Sequence, residues 1–143
     1  KNLVVKEVYD KNVAQMNVDP KLMGIIFSNL LSNSIKYSRK GGRIGLDISQ
    51  VKNELLITIT DDGIGIPKSQ QKEIFSKLFR ADNAKAADPD GSGLGLYIVK
   101  EIITYTGGKI WFESREGKGT KFYISLPMTG MQKRDNINNK QLI

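Results

Sequence analysis

Three polar side chains fall on one face of a predicted helix early in the chain. Asn29, Asn33 and Lys36 are spaced i, i+4 and i+7, which places them in a single stripe. An amide oxygen can ligate Mg²⁺ and an ammonium group can bind phosphate, so the stripe suits an oxygen-rich anionic ligand. The alternative is an ordinary helix face that is wetted by solvent.

A first glycine-rich segment, Asp61-Asp62-Gly63-Ile64-Gly65-Ile66-Pro67, directly follows a predicted strand. Its glycines would let the backbone approach a flat ligand closely, and the Asp61 carboxylate could accept a hydrogen bond from an exocyclic amine. The same residues would also make an ordinary glycine-rich turn.

A second glycine-rich segment, Gly91-Ser92-Gly93-Leu94-Gly95-Leu96, opens a predicted helix. Backbone N–H groups at a helix N-terminus attract anions, so this segment is a candidate phosphate site. It matches the GxGxxG pattern, but it follows a long loop instead of a strand, and no βαβ unit surrounds it. It also lacks the Lys-Ser/Thr pair of a P-loop. The phosphate interpretation remains, while dinucleotide-fold and P-loop sites are excluded.

Composition excludes several classes of chemistry. The chain of 143 residues contains neither cysteine nor histidine. Thiolate or imidazole metal sites, disulfides and Ser-His triads are therefore excluded. The net charge of +7 comes from 22 Lys+Arg against 15 Asp+Glu, and the basic residues are dispersed. A solvated face or phosphate attraction explains this charge better than nucleic-acid binding, and we expect no nucleic-acid partner.

The pattern of elements predicts one α+β domain. Helical spacing predicts helices at residues 20–38, 70–79 and 94–105. Alternating and β-branched segments predict strands at residues 3–9, 14–18, 43–49, 54–60, 109–114 and 120–126. Together they indicate a two-layer α/β sandwich, with a mixed, mostly antiparallel sheet and helices on one face. We expect the domain to span residues 1–127 and residues 128–143 to form a disordered tail.

The two longer helices carry predicted core stripes. Apolar residues recur at helical spacing in each of them. The first stripe consists of Met23, Ile26, Phe27 and Leu30. The second consists of Leu94, Ile98, Ile102 and Tyr105.

In this order, the motifs resemble the catalytic and ATP-binding domain of sensor histidine kinases, the Bergerat fold. The segment NLLSNSIKYS resembles the N box of that family, and DDGIGIP its first glycine box. FSKLFRAD resembles the F box, and GSGLGLYIVK the second glycine box. The closing segment, GGKIWFESREGKGTKFYISLP, is similar to the terminal hairpin of the family. The resemblance implies ATP and Mg²⁺ as cofactors.

The resemblance implies a role for each polar residue of the first helix and for Asp61. Asn33 would ligate Mg²⁺ through its side-chain oxygen, with Asn29 supporting the phosphate end. Lys36 would contact phosphate, and Tyr37 would stack near the adenine. Asp61 would accept a hydrogen bond from the adenine amino group, which disfavours guanine because guanine has a carbonyl there.

The resemblance also implies a mobile lid over residues 68–90, whose closure would order the site. Phe79 would anchor this lid, and Arg80 would reach the γ-phosphate. The residues expected to act in catalysis are Asn33, Lys36 and Arg80. The residues expected to bind the nucleotide are Asn29, Asn33, Lys36, Tyr37, Asp61, Gly63, Gly65, Ile66, Phe79, Arg80, Gly91, Ser92, Gly93, Leu94, Gly95 and Leu96.

One position favours histidine as the phosphoryl acceptor. Family members that hydrolyse ATP or phosphorylate hydroxyl groups typically have a Glu base one turn before the Mg²⁺-binding Asn. This chain has Asn29 there, and an amide cannot act as a base. A neutral imidazole needs no base on this domain.

The partners follow from the same resemblance. The acceptor would lie on a separate dimerisation and histidine phosphotransfer domain of the same kinase, since the chain has no histidine. A response regulator receiver domain would take the phosphoryl group next. We expect a monomeric isolated domain, a homodimeric parent, and a cytoplasmic location with the parent either soluble or membrane-anchored. The alternatives are an ATPase of the same superfamily and a nucleotide-binding pseudokinase module that acts through a partner.

Three positions depart from the family pattern. Ser34 stands where Ala is more frequent, Asp62 where Asn is common, and Thr106 where His is frequent. None is expected to contact phosphate, and we interpret them as neutral variation.

Overall fold

A five-stranded sheet forms one layer of the fold in the computed structural model, which describes residues 1–132. Its strands are β1 (Val4–Tyr9), β2 (Arg43–Val51), β3 (Glu54–Asp61), β4 (Lys109–Arg115) and β5 (Gly119–Pro127). Their spatial order is β1-β2-β3-β5-β4. The β1–β2 pair is parallel and the other three pairs are antiparallel, which confirms the predicted mixed sheet.

The core lies between this sheet and two helices, α1 (Pro20–Tyr37) and α3 (Gly95–Tyr105). Residues of β3 and β5 that alternate along each strand pair across the ladder, so their side chains share one face. The pairs are Leu55 with Leu126, Ile57 with Ile124 and Ile59 with Phe122, all buried. Helices on one face of the sheet make the predicted two-layer sandwich.

Helix α1 begins and ends where the sequence indicates. The Asp19 carboxylate accepts hydrogen bonds from the backbone N–H groups of Lys21 and Leu22 at 2.9 and 3.2 Å, and Pro20 is the first helical residue. Ser38 caps the other end by donating its hydroxyl to the Ser34 carbonyl at 2.6 Å.

Helix α3 buries a different stripe from the predicted one. Val99 and Ile103 are fully buried, and Thr106 continues their face just beyond the helix. The predicted stripe is wrong, because Ile98 and Tyr105 are each 37% exposed. The helix sequence is apolar on nearly every side, so spacing alone does not select a face.

Three other local predictions are wrong. Residues 14–18 form no strand in the structure as described. The predicted helix over residues 70–79 is instead a 3₁₀ helix, Lys68–Glu73, followed by turns. Within the segment predicted as a loop, residues 82–87 form a short helix, α2 (Asp82–Ala87).

The chain continues in contact with the domain beyond Pro127. Backbone N–H groups of Met128 and Met131 donate to the carbonyls of Asn53 and Asn17 at 2.8 and 3.0 Å. Both methionine side chains pack against the core. The folded body therefore extends past the predicted boundary, and residues 133–143 lie outside the described residues. No helix within residues 1–132 is long and apolar enough to cross a membrane.

Candidate functional site

A cavity of about 210 Å³ opens between α1, the first glycine-rich segment, the lid residues and the start of α3. Most of the predicted site residues line it, although they come from segments far apart in the sequence. These residues are Asn29, Asn33, Lys36, Tyr37, Asp61, Gly65, Ile66, Phe79, Arg80, Gly91, Ser92, Gly93, Gly95 and Leu96.

Two predicted residues, Gly63 and Leu94, do not line the cavity. A side chain at Gly63 would collide with the Tyr37 carbonyl, so this glycine lets the segment pack against the end of α1. Leu94 is the N-cap residue of α3, and its carbonyl accepts a hydrogen bond from the N–H of Ile98 at 2.9 Å. Both residues therefore support the segments that line the cavity without lining it themselves.

Asp61 is held at the end of β3 by donors from three segments. Its Oδ1 accepts hydrogen bonds from the backbone N–H groups of Gly63 at 2.9 Å and Thr120 at 3.3 Å. The Ser34 hydroxyl donates to Oδ2 at 3.4 Å. Burial raises the pKa of the Asp61 carboxyl above its usual value, while these hydrogen bonds act in the opposite direction. A half-buried carboxylate with acceptor capacity left on Oδ2 can bind an amine of a ligand.

The N-terminus of α3 lies directly against α1. A β-carbon at Gly95 would come within 2.8 Å of the Asn29 side-chain oxygen, so glycine permits the close approach. The Asn29 Nδ2 group donates to the Ile25 carbonyl at 2.8 Å. The first backbone N–H groups of α3 therefore adjoin the polar stripe that contains Asn33. This end of the cavity can bind an anion.

The two predicted phosphate cations, Lys36 and Arg80, meet at Asp88. Lys36 Nζ lies 3.0 Å from Asp88 Oδ2, and Arg80 Nη2 lies 3.7 Å from the same oxygen. The Arg80 guanidinium also donates to the carbonyls of Ala84, Asp88 and Pro89. Both cations are thus engaged by the lid segment.

Sequence reasoning missed Asn83 of α2. Its Nδ2 donates to the Gly65 carbonyl at 2.9 Å, which joins α2 to the first glycine-rich segment. Its Oδ1 is buried in the cavity wall and has no hydrogen-bond partner among residues 1–132. The polar, breaker-rich composition around it gave no signal of a helix. Other cavity residues that were missed are Ser32, Ile64, Ile74, Ala81, Ala84, Thr120 and Phe122.

Thr120 lies beside Asp61 because the two residues pair across the β3–β5 ladder. These strands are far apart in the sequence, so the predicted local hairpins gave no register for this pair. The three departures from the family pattern, Ser34, Asp62 and Thr106, each make a side-chain hydrogen bond. Asp62 accepts a hydrogen bond from the backbone N–H of Arg43 at 2.9 Å, and Thr106 donates to the Ile102 carbonyl at 2.8 Å.

The donor set fits a nucleotide that brings its own metal ion. No group of three or more acidic, histidine or cysteine side chains lies together within residues 1–132. Mg²⁺ accepts one or two protein oxygens when phosphates and waters complete its octahedron, and Asn33 can supply one. The buried Asn83 oxygen, which lacks a donor, fits a ligand with an N–H or O–H group.

Residues 18–130 match the sequence profile of the family described as histidine kinase-, DNA gyrase B- and HSP90-like ATPases. The chain belongs to this family. The chain is similar to sensor histidine kinases and to the solved catalytic domain of a histidine kinase. The chain is therefore a catalytic domain of the sensor histidine kinase type.

Two relatives illustrate the similarity. Sensor histidine kinase WalK of Bacillus subtilis is 35% identical over 137 residues, which covers 94% of this chain and 21% of the relative. Sensor protein kinase WalK of Staphylococcus aureus strain Newman is 41% identical over 111 residues, covering 76% of this chain and 18% of the relative. The chain thus spans about a fifth of the length of these curated relatives.

Solved structures agree on the fold. The mycobacterial sensor histidine kinase MprB superposes with a TM-score of 0.77 at 30% identity, covering 88% of this chain and 84% of that one. A nucleotide-free catalytic domain of histidine kinase ThkA gives a TM-score of 0.75 at 27% identity, covering 89% and 81%. The Bergerat fold predicted from the motifs is confirmed.

Proposed function

We propose that this domain positions Mg·ATP for transfer of its γ-phosphoryl group to a histidine on another domain, as a step in two-component signalling. One observation carries the proposal. A single cavity joins the half-buried Asp61 carboxylate to the polar stripe of α1 and the N-terminus of α3. An acceptor at one end and anion-binding groups at the other match the two ends of ATP.

At the adenine end, the ring would lie among the apolar side chains Ile66, Phe79 and Leu96, near Tyr37. Asp61 would accept a hydrogen bond from the 6-amino group of adenine. Guanine presents a carbonyl at that position, and its oxygen would be repelled by the carboxylate. The site would therefore select ATP over GTP.

At the phosphate end, Asn33 would ligate Mg²⁺ and Lys36 would bind a phosphate oxygen. Bound Mg·ATP supplies the phosphoryl group and a metal ion that neutralises charge during transfer. The N–H groups at the start of α3 orient the phosphates, and Arg80 would add a planar cation near the transferred group. The chain contributes positioning and charge, without a covalent intermediate.

The acceptor histidine would come from a dimerisation domain, and a response regulator receiver domain would follow it. This proposal rests on the absence of histidine from the chain and on Asn29, which cannot serve as a base for water. ATP is abundant in the cytoplasm, where we place the domain.

Calorimetry of the chain with ATP and GTP, with and without Mg²⁺, tests the proposal. We expect Mg²⁺-dependent binding of ATP, with GTP binding much weaker. Asn33→Ala should remove the Mg²⁺ dependence, because it deletes the expected metal ligand. Asn53→Ala is the matched control, since Asn53 lies exposed in the β2–β3 turn. Equal binding of ATP and GTP, or no binding at millimolar nucleotide, would contradict the proposal.

A further inference from the structure

The lid segment contains a carboxylate that binds the cations of the cavity from behind its wall. Asp88 follows α2 and does not line the cavity itself. Its Oδ2 contacts Lys36 and Arg80, and both of those residues do line the cavity. Gly91 lies against two of these side chains, since a β-carbon there would come within 2.6 Å of Arg80 Nη2 and 2.8 Å of Asp88 Oδ2.

The Asp88 carboxylate depends on Lys36 and Arg80 for compensation of its charge. Its Oδ2 is shielded from solvent, yet no aligned hydrogen bond reaches it from residues 1–132. Among residues 1–132, the negative charge of Asp88 is balanced by the two ion pairs, at 3.0 and 3.7 Å. Loss of both cations would leave this shielded oxygen without a counter-charge, so a ligand that binds Lys36 and Arg80 favours displacement of Asp88.

Three of the five N–H donors of Arg80 are engaged by the lid backbone. Nη1 donates to the Pro89 carbonyl, while Nη2 donates to the Ala84 and Asp88 carbonyls. A forked contact with phosphate through Nη1 and Nη2 needs free hydrogens on both nitrogens. Both Nη2 hydrogens are taken by the Ala84 and Asp88 carbonyls, so this contact forms only when the backbone of residues 84–88 moves away.

We propose that Asp88 is an internal competitor of the nucleotide's terminal phosphates for Lys36 and Arg80, and that its displacement couples phosphate arrival to rearrangement of the lid. This inference rests on the proposed function. The phosphates of Mg·ATP bind the same two cations, and this binding offsets the free-energy cost of displacing Asp88. A nucleotide without β- and γ-phosphates gains nothing from releasing Asp88.

Calorimetry with Mg·ATP and with AMP tests this on the 143-residue chain and two variants. Asp88→Asn removes the competing charge. Asp90→Asn removes the same charge from an exposed neighbour that makes no ion pair in the described part of the chain, and it is the matched control. We expect Asp88→Asn to bind Mg·ATP about two- to thirtyfold more tightly than Asp90→Asn, from the strength of two partly exposed ion pairs. AMP affinity should be the same in both.

Amide hydrogen exchange without nucleotide gives a second readout. Residues 80–91 should exchange faster in Asp88→Asn than in Asp90→Asn, because the lid loses its tie to α1. Equal or weaker ATP binding by Asp88→Asn, an equal gain for AMP, or unchanged exchange would overturn the proposal. If no protein bound ATP, the proposed function would fail, and the exchange rates would still decide whether Asp88 holds the lid.

Discussion

At the scale of single residues, Asp61 is held between opposing influences. Burial makes its carboxylate harder to form, while hydrogen bonds from Gly63, Thr120 and Ser34 stabilise the charged form. Burial has the larger effect, and the pKa of Asp61 is raised. Folding therefore opposes the ionisation that ligand recognition requires.

The raised pKa of Asp61 predicts a pH dependence of folding stability. Between the ordinary value of 3.8 and the raised pKa, the native state binds more protons than the unfolded state. The free energy of unfolding should therefore fall as pH rises through that interval, relative to Asp61→Asn. Asparagine keeps the size and one acceptor oxygen but does not titrate. Urea titrations of both proteins from pH 3 upward measure the difference. If the free energy of unfolding of the parent chain rose with pH relative to that of Asp61→Asn, the prediction would be contradicted.

At the scale of elements, tertiary contacts determine which face of the apolar helix α3 is buried. Val99, Ile103 and the following Thr106 point into the domain, because α3 must contact both α1 and β4. Ile98, on the neighbouring face, is 37% exposed.

Two isoleucines of α3 provide a matched test of this orientation. Ile103→Ala should lower the free energy of unfolding by about 2–5 kcal/mol, because it leaves a cavity in the core. Ile98→Ala should cost about 1 kcal/mol or less, since its side chain is partly solvated. Urea denaturation measures both. Equal losses, or a larger loss for Ile98, would contradict the orientation seen here.

The sequence predicted the elements whose signals are local. Helical spacing predicted a helix over residues 20–38, which matches α1, and the residues of the glycine motifs mostly line the cavity. The face of α3 and the helix α2 depended on tertiary contacts, such as the hydrogen bond from Asn83 to the Gly65 carbonyl. An isolated six-residue helix is unstable, so its sequence carries little helical signal. The engagement of Lys36 and Arg80 by Asp88 depends on lid geometry, which spacing cannot reveal.

At the scale of the whole molecule, residues 128–132 pack against the domain, although they were predicted to belong to a disordered tail. Met128 and Met131 cover the core beyond β5, and Gln132 donates its N–H to the Thr106 carbonyl at 3.2 Å. This segment joins the end of α3 to the β2–β3 turn and to the segment before α1.

Two truncations measure what this closing segment contributes. A chain that ends at Pro127 should be less stable than one that ends at Gln132 by about 1–3 kcal/mol, from the lost burial of two partly covered methionines. Thermal denaturation compares them, and the chain ending at Gln132 is the control for loss of residues 133–143. Equal melting temperatures would show that residues 128–132 contribute nothing to stability.

The parallel strand β1 also affects how the domain behaves at high concentration. All six of its residues are exposed, and its outer edge has no partner strand within residues 1–132. Unpaired backbone groups beside Val4, Val5 and Val8 form a template onto which another extended chain can add. Lys6 and Glu7 interrupt this apolar run with charge and disfavour such addition. We therefore expect loss of both charges to make the domain more prone to aggregation.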